Sequence, residues 1–346
     1  MKKMIIVFGC ISVVLMAQSI DSNSSYIDDT HSIISKKVVD LSNEIDTTLS
    51  SWLGHSDSNT TNKTIAKKKK KERLTVDAFF QSNKYFNETD NTFIRVRTDS
   101  ILQTRESNKL NLRVSAQIPF NKSRQNFQFF VNDLNLENTA NILQNEDVDQ
   151  NAYPNIGMHY FAPVSYGITS RYSLGFQGIT PFVRARYSKI FRANEWNIEP
   201  AQIFRYSSDN IFEEETNIYI DKEFSELSLL RIQLHRQTKT DIKGMDYALA
   251  VEYYWSPQEK TGLRVSQGFY GNTKYPYIVD KNIDPPVTDT FGGINNYATS
   301  FSWRQNIWRD WFYYEVTPSV NFHKDHEYQA NYAVRFFLDF YFGEYK

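Results

Sequence analysis

The side chains able to do chemistry in this chain are its histidines, arginines and carboxylates, since its one cysteine, Cys10, sits in an apolar run near the start. The six histidines are His31, His55, His159, His235, His323 and His326. None stands in a nucleophile elbow, a paired metal-ligand helix or another spacing that assembles a catalytic site. A serine hydrolase built on a barrel wall brings its triad together from different strands, which spacing along the chain does not register. Hydrolysis is therefore kept as a third reading of function, with no catalytic residue named and no enzyme expected. His323, Asp325, His326 and Glu327 crowd one hairpin with side chains that bind divalent metals. A solvated turn carries the same residue types without a ligand, so neither a metal nor another cofactor is expected.

The arginines are more informative. Arg95, Arg97, Arg113, Arg184, Arg186, Arg205, Arg231, Arg264, Arg304 and Arg335 fall on the polar positions of alternating segments, and Glu199, Glu213, Glu215, Glu252, Glu315 and Asp339 fall on the same positions. If those positions share the inside of one wall, two chemistries are open to them. Arginine is weakly hydrated and its planar fork holds a carboxylate in two bonds, so the set can form ion pairs that stiffen the wall. Arginines in excess over acids can instead favour passage of anions or acidic solutes.

The elements that must position these residues are strands. In the last segment Tyr328, Ala330, Tyr332, Val334, Phe336, Leu338, Phe340 and Phe342 alternate with Gln329, Asn331, Ala333, Arg335, Phe337, Asp339 and Tyr341. Period two makes a strand, and fifteen residues suit a tilted one that crosses a bilayer with some overhang. Segments of the same kind fall near 92–99, 109–118, 124–132, 154–161, 167–176, 180–190, 195–206, 211–221, 227–236, 245–255, 261–269, 296–306, 311–322 and 328–342. That gives an all-β fold, an antiparallel transmembrane barrel of about fourteen strands, with about twelve as the runner-up because 124–132 and 154–161 are weakly patterned. In 245–255, Met245, Tyr247, Leu249, Val251, Tyr253 and Trp255 make the lipid face and Asp246, Ala248, Ala250, Glu252 and Tyr254 the inner one. The mean hydropathy of -0.54 is compatible with this fold, because only alternate residues meet lipid. The 22 tyrosines and 25 phenylalanines suit aromatic girdles.

The connections sort by parity. Those after even-numbered strands are short (119–123, 162–166, 192–194, 222–226, 256–260 and 307–310), whereas the long ones, 100–108, 133–153, 237–244 and 270–295, all follow odd-numbered strands. Short periplasmic turns and long external loops are the rule for such barrels, which puts both chain ends in the periplasm of a Gram-negative cell.

The start of the chain fits that address. Lys2 and Lys3 precede an apolar run from Met4 to Ala17, too short to span as a helix, and residues 1–19 read as a signal peptide. In 20–54, Ile27, Ile34, Val38, Leu41, Ile45, Leu49 and Trp52 recur at helical steps, so an amphipathic periplasmic helix is expected. Packing on the barrel mouth, self-association or recruitment of a periplasmic partner through 27–53, and plugging of the lumen are the uses open to it. Residues 55–73 form a polar linker ending in the lysine run Lys67–Lys71, which either stays solvated or meets anionic headgroups. Residues 74–91, with Val76, Phe79, Phe80 and Phe86, read as a short element leading into a barrel over 92–346. The formal net charge of -1 gives no reason to expect a nucleic-acid partner. Outer-membrane lipid and, during insertion, the barrel-assembly machinery are the expected partners.

One stretch carries a resemblance. Trp303-Arg304-Gln305-Asn306-Ile307-Trp308-Arg309-Asp310-Trp311, then Tyr314-Glu315-Val316-Thr317-Pro318, then a final strand ending Phe340-Tyr341-Phe342-Gly343, together resemble an uncharacterised family of proteobacterial outer-membrane barrel proteins. Pro181 to Tyr187 and Val76 to Phe80 are similar to segments of the same family. The resemblance implies fold and location and no activity, and residues before 74 lie outside it. The functional expectation is a passive channel for small polar or anionic solutes, with a sealed scaffolding barrel as the rival.

Overall fold

Alternation in the sequence becomes a ring of strands. The structure, a computed structural model, describes residues 24–52, 76–80, 92–120, 126–132, 155–208, 212–240, 243–280 and 287–344. The proposed signal peptide, the lysine-rich linker with His55, and the connection at 133–153 lie outside these. A long helix, α1 (Ser24–Trp52), and a single helical turn, α2 (Val76–Phe79), come first. Among the described residues fourteen antiparallel strands follow. They are β1 (Phe93–Gln103), β2 (Lys109–Pro119), β3 (Phe127–Val131), β4 (Asn155–Ser165), β5 (Ile168–Gln177) and β6 (Thr180–Lys189, continued after Ile190 as Phe191–Ala193). The remainder are β7 (Trp196–Ser207), β8 (Phe212–Ser225), β9 (Ser228–Lys239), β10 (Asp246–Gln258), β11 (Thr261–Asp280), β12 (Val287–Arg309), β13 (Phe312–His323) and β14 (Ala330–Gly343).

Each strand pairs with its sequence neighbours, and β1 pairs with β14 from Phe93↔Gly343 to Gln103↔Ala333, so the sheet closes and leaves no edge. Closure is what lets strands stand in lipid, because every ladder group then has a partner. Gly343 is required at this seam. Its φ is +104°, and a Cβ there would lie 2.4 Å from the Thr92 carbonyl oxygen.

The outer face exposes Leu174, Val183, Leu234, Val251, Val265, Phe301, Trp303 and Leu338, while the alternate residues, polar and charged, are buried inside. This is the reverse of a water-soluble protein and the arrangement of a transmembrane barrel. The facing expected for 245–255 holds: Val251 is exposed outside and Glu252 beside it is buried inside.

Three expectations need correction. The strands run further than the pattern indicated, most of all β11 and β12, which continue through most of the stretch expected as the loop 270–295 and pair as far as Asp280↔Val287. Tyr275, Tyr277 and Phe291 favour extended chain there, and three register shifts absorb the glycines and turn formers that had suggested a loop. The third strand is shorter than expected, five residues over Phe127–Val131. The helix α1 is present and packs on the barrel rim, but only part of the predicted apolar stripe, Val38 and the half-buried Ile45, is turned to it. Val38, Ser42 and Asp46 are buried, whereas Ile27, Ile34 and Leu41 are exposed. The rim it packs on offers polar groups: the Thr92 hydroxyl lies 3.0 Å from the Ser42 hydroxyl, and the Tyr341 carbonyl lies 2.6 Å from His31 Nε2. Polar side chains answer those groups better than aliphatic ones.

Candidate functional site in the barrel lumen

The register of the strands decides which charges meet inside. On the arc formed by β11, β12, β13, β14 and β1, arginines and carboxylates alternate. Arg97 and Asp339 are direct cross-strand partners and make a two-bond pair, Nε to Oδ1 at 2.6 Å and Nη2 to Oδ2 at 2.8 Å. Arg304 donates to the same Asp339 at 2.8 Å and to Glu315, its own register partner, at 3.2 Å. Arg264 reaches Glu315 at 3.5 Å and donates to Ser302 at 2.9 Å. The result is one chain of alternating charge, Arg97, Asp339, Arg304, Glu315, Arg264, with Arg304 and Asp339 both at 0 % exposure. One turn along β14, Arg335 clasps Asp99 with bonds of 2.7 and 2.5 Å. Phe337 lies between the two clasps with the Arg97 and Arg335 guanidinium carbons each 4.7 Å from its ring centre.

A second pair stands on β8 and β9, where Arg231 holds Asp221 with bonds of 2.9 and 3.0 Å, and Glu252 across the ladder accepts from the Tyr254 hydroxyl at 2.8 Å. His235 Nδ1 lies 2.8 Å from the Asn217 side-chain oxygen, and Asn217 donates to Glu215 at 2.8 Å.

The arc over β5, β6 and β7 differs. Arg171 faces Arg186 directly across one ladder, and Arg184 faces Arg205 across the next. Like charges at opposed positions, whose Cβ atoms are roughly 4.5–5.5 Å apart, destabilise a sheet. Glu199 lies 3.3 Å from Arg186, and Glu213 lies 3.0 Å from Arg205. Arg205 also donates to Gln177 at 2.5 Å and lies over the Phe182 ring at 4.9 Å.

The expected lining residues thus fall on the inside of the barrel and divide among separate clusters. Arg95 lies beside Arg97 with Ser115 and Tyr341 as register partners, and Arg113, opposite Arg97, is exposed to solvent. Asp99, Asp221, Arg171 and His159 belong to the same lining and were missed. Their signal was present, since each sits two residues from an inward position. His323 and His326 lie in the β13–β14 turn, where His323 Nδ1 accepts from the Asp325 amide at 3.2 Å, Tyr275 donates to Asp325 at 2.9 Å, and His326 faces Glu106 at 3.6 Å. No group of three or more metal-ligating side chains stands together among the described residues.

The lead-in element ends inside the lumen. Val76 and Phe80 are buried with Leu229 and Tyr254, Phe79 packs on Tyr313 at 5.7 Å between ring centres, and the Arg264 guanidinium lies 5.4 Å over Phe80. Gly262 makes room for this, because a Cβ there would come within 2.7 Å of both phenylalanine rings. An aromatic pair therefore occupies the lumen at the end where both chain termini of the barrel lie.

No family model matches the sequence, and no curated protein does. Solved structures of outer-membrane barrels are similar at very low identity. OmpT of Vibrio cholerae is 6% identical over 74% of this chain and 99% of that one, with a TM-score of 0.45. OccK10 of Pseudomonas aeruginosa is 8% identical over 73% and 99%, at 0.40. The KdgM porin in complex with disordered oligogalacturonate is 7% identical over 71% and 98%, at 0.34.

Proposed function

We propose that this protein is an outer-membrane channel for small polar or anionic solutes, with the arginines of β5, β6 and β7 as its selective lining and both ends of the barrel chain in the periplasm. The observation that carries this reading is the direct opposition of Arg171 to Arg186 and of Arg184 to Arg205. A wall built only for stiffness gains nothing from placing cations face to face, whereas a lining that concentrates anions does. The family that Trp303 to Trp311 resembles agrees with this location and adds no activity. Neutralising both Arg184 and Arg186 to glutamine lowers the anion-to-cation permeability ratio in planar bilayers, most clearly at low salt, where screening is weakest. An unchanged reversal potential in a barrel that still conducts removes these arginines from the permeation path.

A second reading, a sealed scaffolding barrel, is favoured by the aromatic pair Phe79 and Phe80 in the lumen and by the near-complete burial of the inward charges. The same bilayer assay separates the two. Stepwise conductance that rises in Phe79→Ala/Phe80→Ala supports a channel whose resting state is closed by its own chain. Folded barrels that stay silent with and without the two substitutions support the scaffold.

A further inference from the structure

The long helix α1 lies where the barrel closes. His31 stacks on Trp311 at 4.3 Å and on Phe342 at 5.2 Å between ring centres, and its Nε2 meets the Tyr341 carbonyl of β14. Eleven residues on, Ser42 meets Thr92 at the start of β1. Asp28 takes a bond of 2.7 Å from Arg309, beside the β12–β13 turn. The helix thus straps the β14–β1 seam from outside.

These contacts also fix its rotation. Asp28 touches Arg309, where β12 runs into its turn, and His31, about 60° away around the axis, stacks on Trp311 and Phe342 of the aromatic girdle. Going round the helix from Asp28 through His31 therefore leads from that turn toward the membrane. Past the buried Val38, the next positions in that direction, a further 40–80° or so at 3.6 residues per turn, are the half-buried Ile45 and then Ile27, Ile34 and Leu41. The last three are exposed, at 37%, 39% and 52%. Asp28 and Asp46 lie on the side turned to the barrel, and Asp29, Asp40 and Glu44 are exposed beside Tyr26 and Ile33. Trp308, Trp311, Phe340 and Phe342 form an aromatic belt at this level, and such belts sit at the headgroup boundary.

We propose that α1 is an interfacial helix whose Ile27, Ile34 and Leu41 insert among the acyl chains of the leaflet at the terminal end of the barrel, continuing the lipid-facing girdle across the seam. Its occupant is lipid because the exposed residues adjoin the aromatic girdle of a surface already in lipid. A helix held this way adds membrane contact where the first and last strands meet. The sequence pattern had shown the stripe, and it divides: Val38 meets the barrel rim, which leaves Ile27, Ile34 and Leu41 to the bilayer.

This inference rests on the transmembrane reading, so its test carries a control for that reading. In full-length protein with Cys10 replaced by serine, single cysteines at Val251, Ile34, Leu41 and Asp40 are labelled with an environment-sensitive fluorophore and reconstituted in vesicles. Val251→Cys loses emission with brominated acyl chains if the barrel spans the bilayer; failure there sinks the membrane reading itself. Ile34→Cys and Leu41→Cys are expected to lose emission with brominated lipid as position 251 does, and to resist aqueous iodide, whereas Asp40→Cys responds only to iodide. Iodide quenching at 34 and 41 with lipid quenching intact at 251 overturns the proposal. Protection from both quenchers at 34 and 41 assigns the stripe to a second copy of the chain and overturns it as well.

Discussion

Two arcs of the lumen wall use the same residue type in opposite ways. From β11 round to β1, Arg264, Arg304, Arg335 and Arg97 each reach a carboxylate, and Asp339 and Glu315 each serve two. Over β5 to β7, arginine stands against arginine at two register positions, an opposition the first arc shows only at its border, where Arg97 faces Arg113 of β2. A charge removed from water costs several kcal/mol unless it is paired and hydrogen-bonded, so the first arc is a structure that depends on its partners. In the second, like charges share register positions across two successive ladders.

The comparison predicts its own largest effect. Asp339→Asn leaves Arg97 and Arg304 without their shared partner and is expected to cost about 3–5 kcal/mol of folded-state stability, the range for breaking a buried pair, read from urea titrations of barrel refolding. Arg184→Gln relieves an opposition with Arg205 and is expected to stay within about 1 kcal/mol of the parent. Equal losses for the two variants would mean that the arcs do not differ energetically.

The next effect tests the outer face against the inner. Val251→Arg places a cation on the lipid side of β10 and is expected to cost about 2–4 kcal/mol if it lies near the bilayer midplane, while Glu252→Gln, which keeps an acceptor for the Tyr254 hydroxyl, costs less. Equal tolerance at 251 and 252 in the same titration would contradict the register that defines both arcs.

How far the sequence was readable follows the range over which each signal acts. Facing along one strand depends on period two alone, so Arg97, Arg264, Arg304 and Asp339 were recognisable as inward residues without coordinates. Which arginine meets which acid depends on register between strands, and Arg304 reaching past β13 to Asp339 on β14 has no trace in local spacing. The same holds for the lead-in element. Val76, Phe79 and Phe80 were visible as an apolar cluster, but their place against Gly262 and Tyr254 is a long-range fact. For α1 the periodicity showed a helix and placed its contact face only in part, finding Val38 but not His31 or Ser42, because a rim made of carbonyls and hydroxyls binds histidine and serine while hydropathy searches for isoleucine.

A smaller effect concerns the lumen end. Gly262→Ala leaves the phenylalanines intact but places a methyl group where their rings now lie, and is expected to raise single-channel open probability modestly. No change in a folded variant, together with an unchanged Phe79→Ala/Phe80→Ala double variant, would free the aromatic pair of any part in closing the lumen.

The smallest effect is expected at a pair that looks as good as any inside. Lys260 and Asp310 join two turns with a bond of 2.7 Å, and the bond to Asp310 raises the lysine above its ordinary range. A base raised on folding adds stability that is fully present below its unfolded pKa and is lost as pH climbs through the folded one, so any contribution belongs to neutral pH and fades only in alkali. Both groups are solvent-exposed, and side-chain entropy and screening cancel most of the attraction in such pairs. Lys260→Gln is therefore expected to leave the urea midpoint unchanged at neutral pH and in alkali alike. Glutamine is the right probe because Lys260 has a left-handed backbone, φ 61°, where glycine would relieve the chain and confuse the result. A midpoint shift approaching that of Asp339→Asn would show that distance alone gives an ion pair its weight here, and the distinction drawn between the arcs, which rests on burial and shared partners, would fall with it.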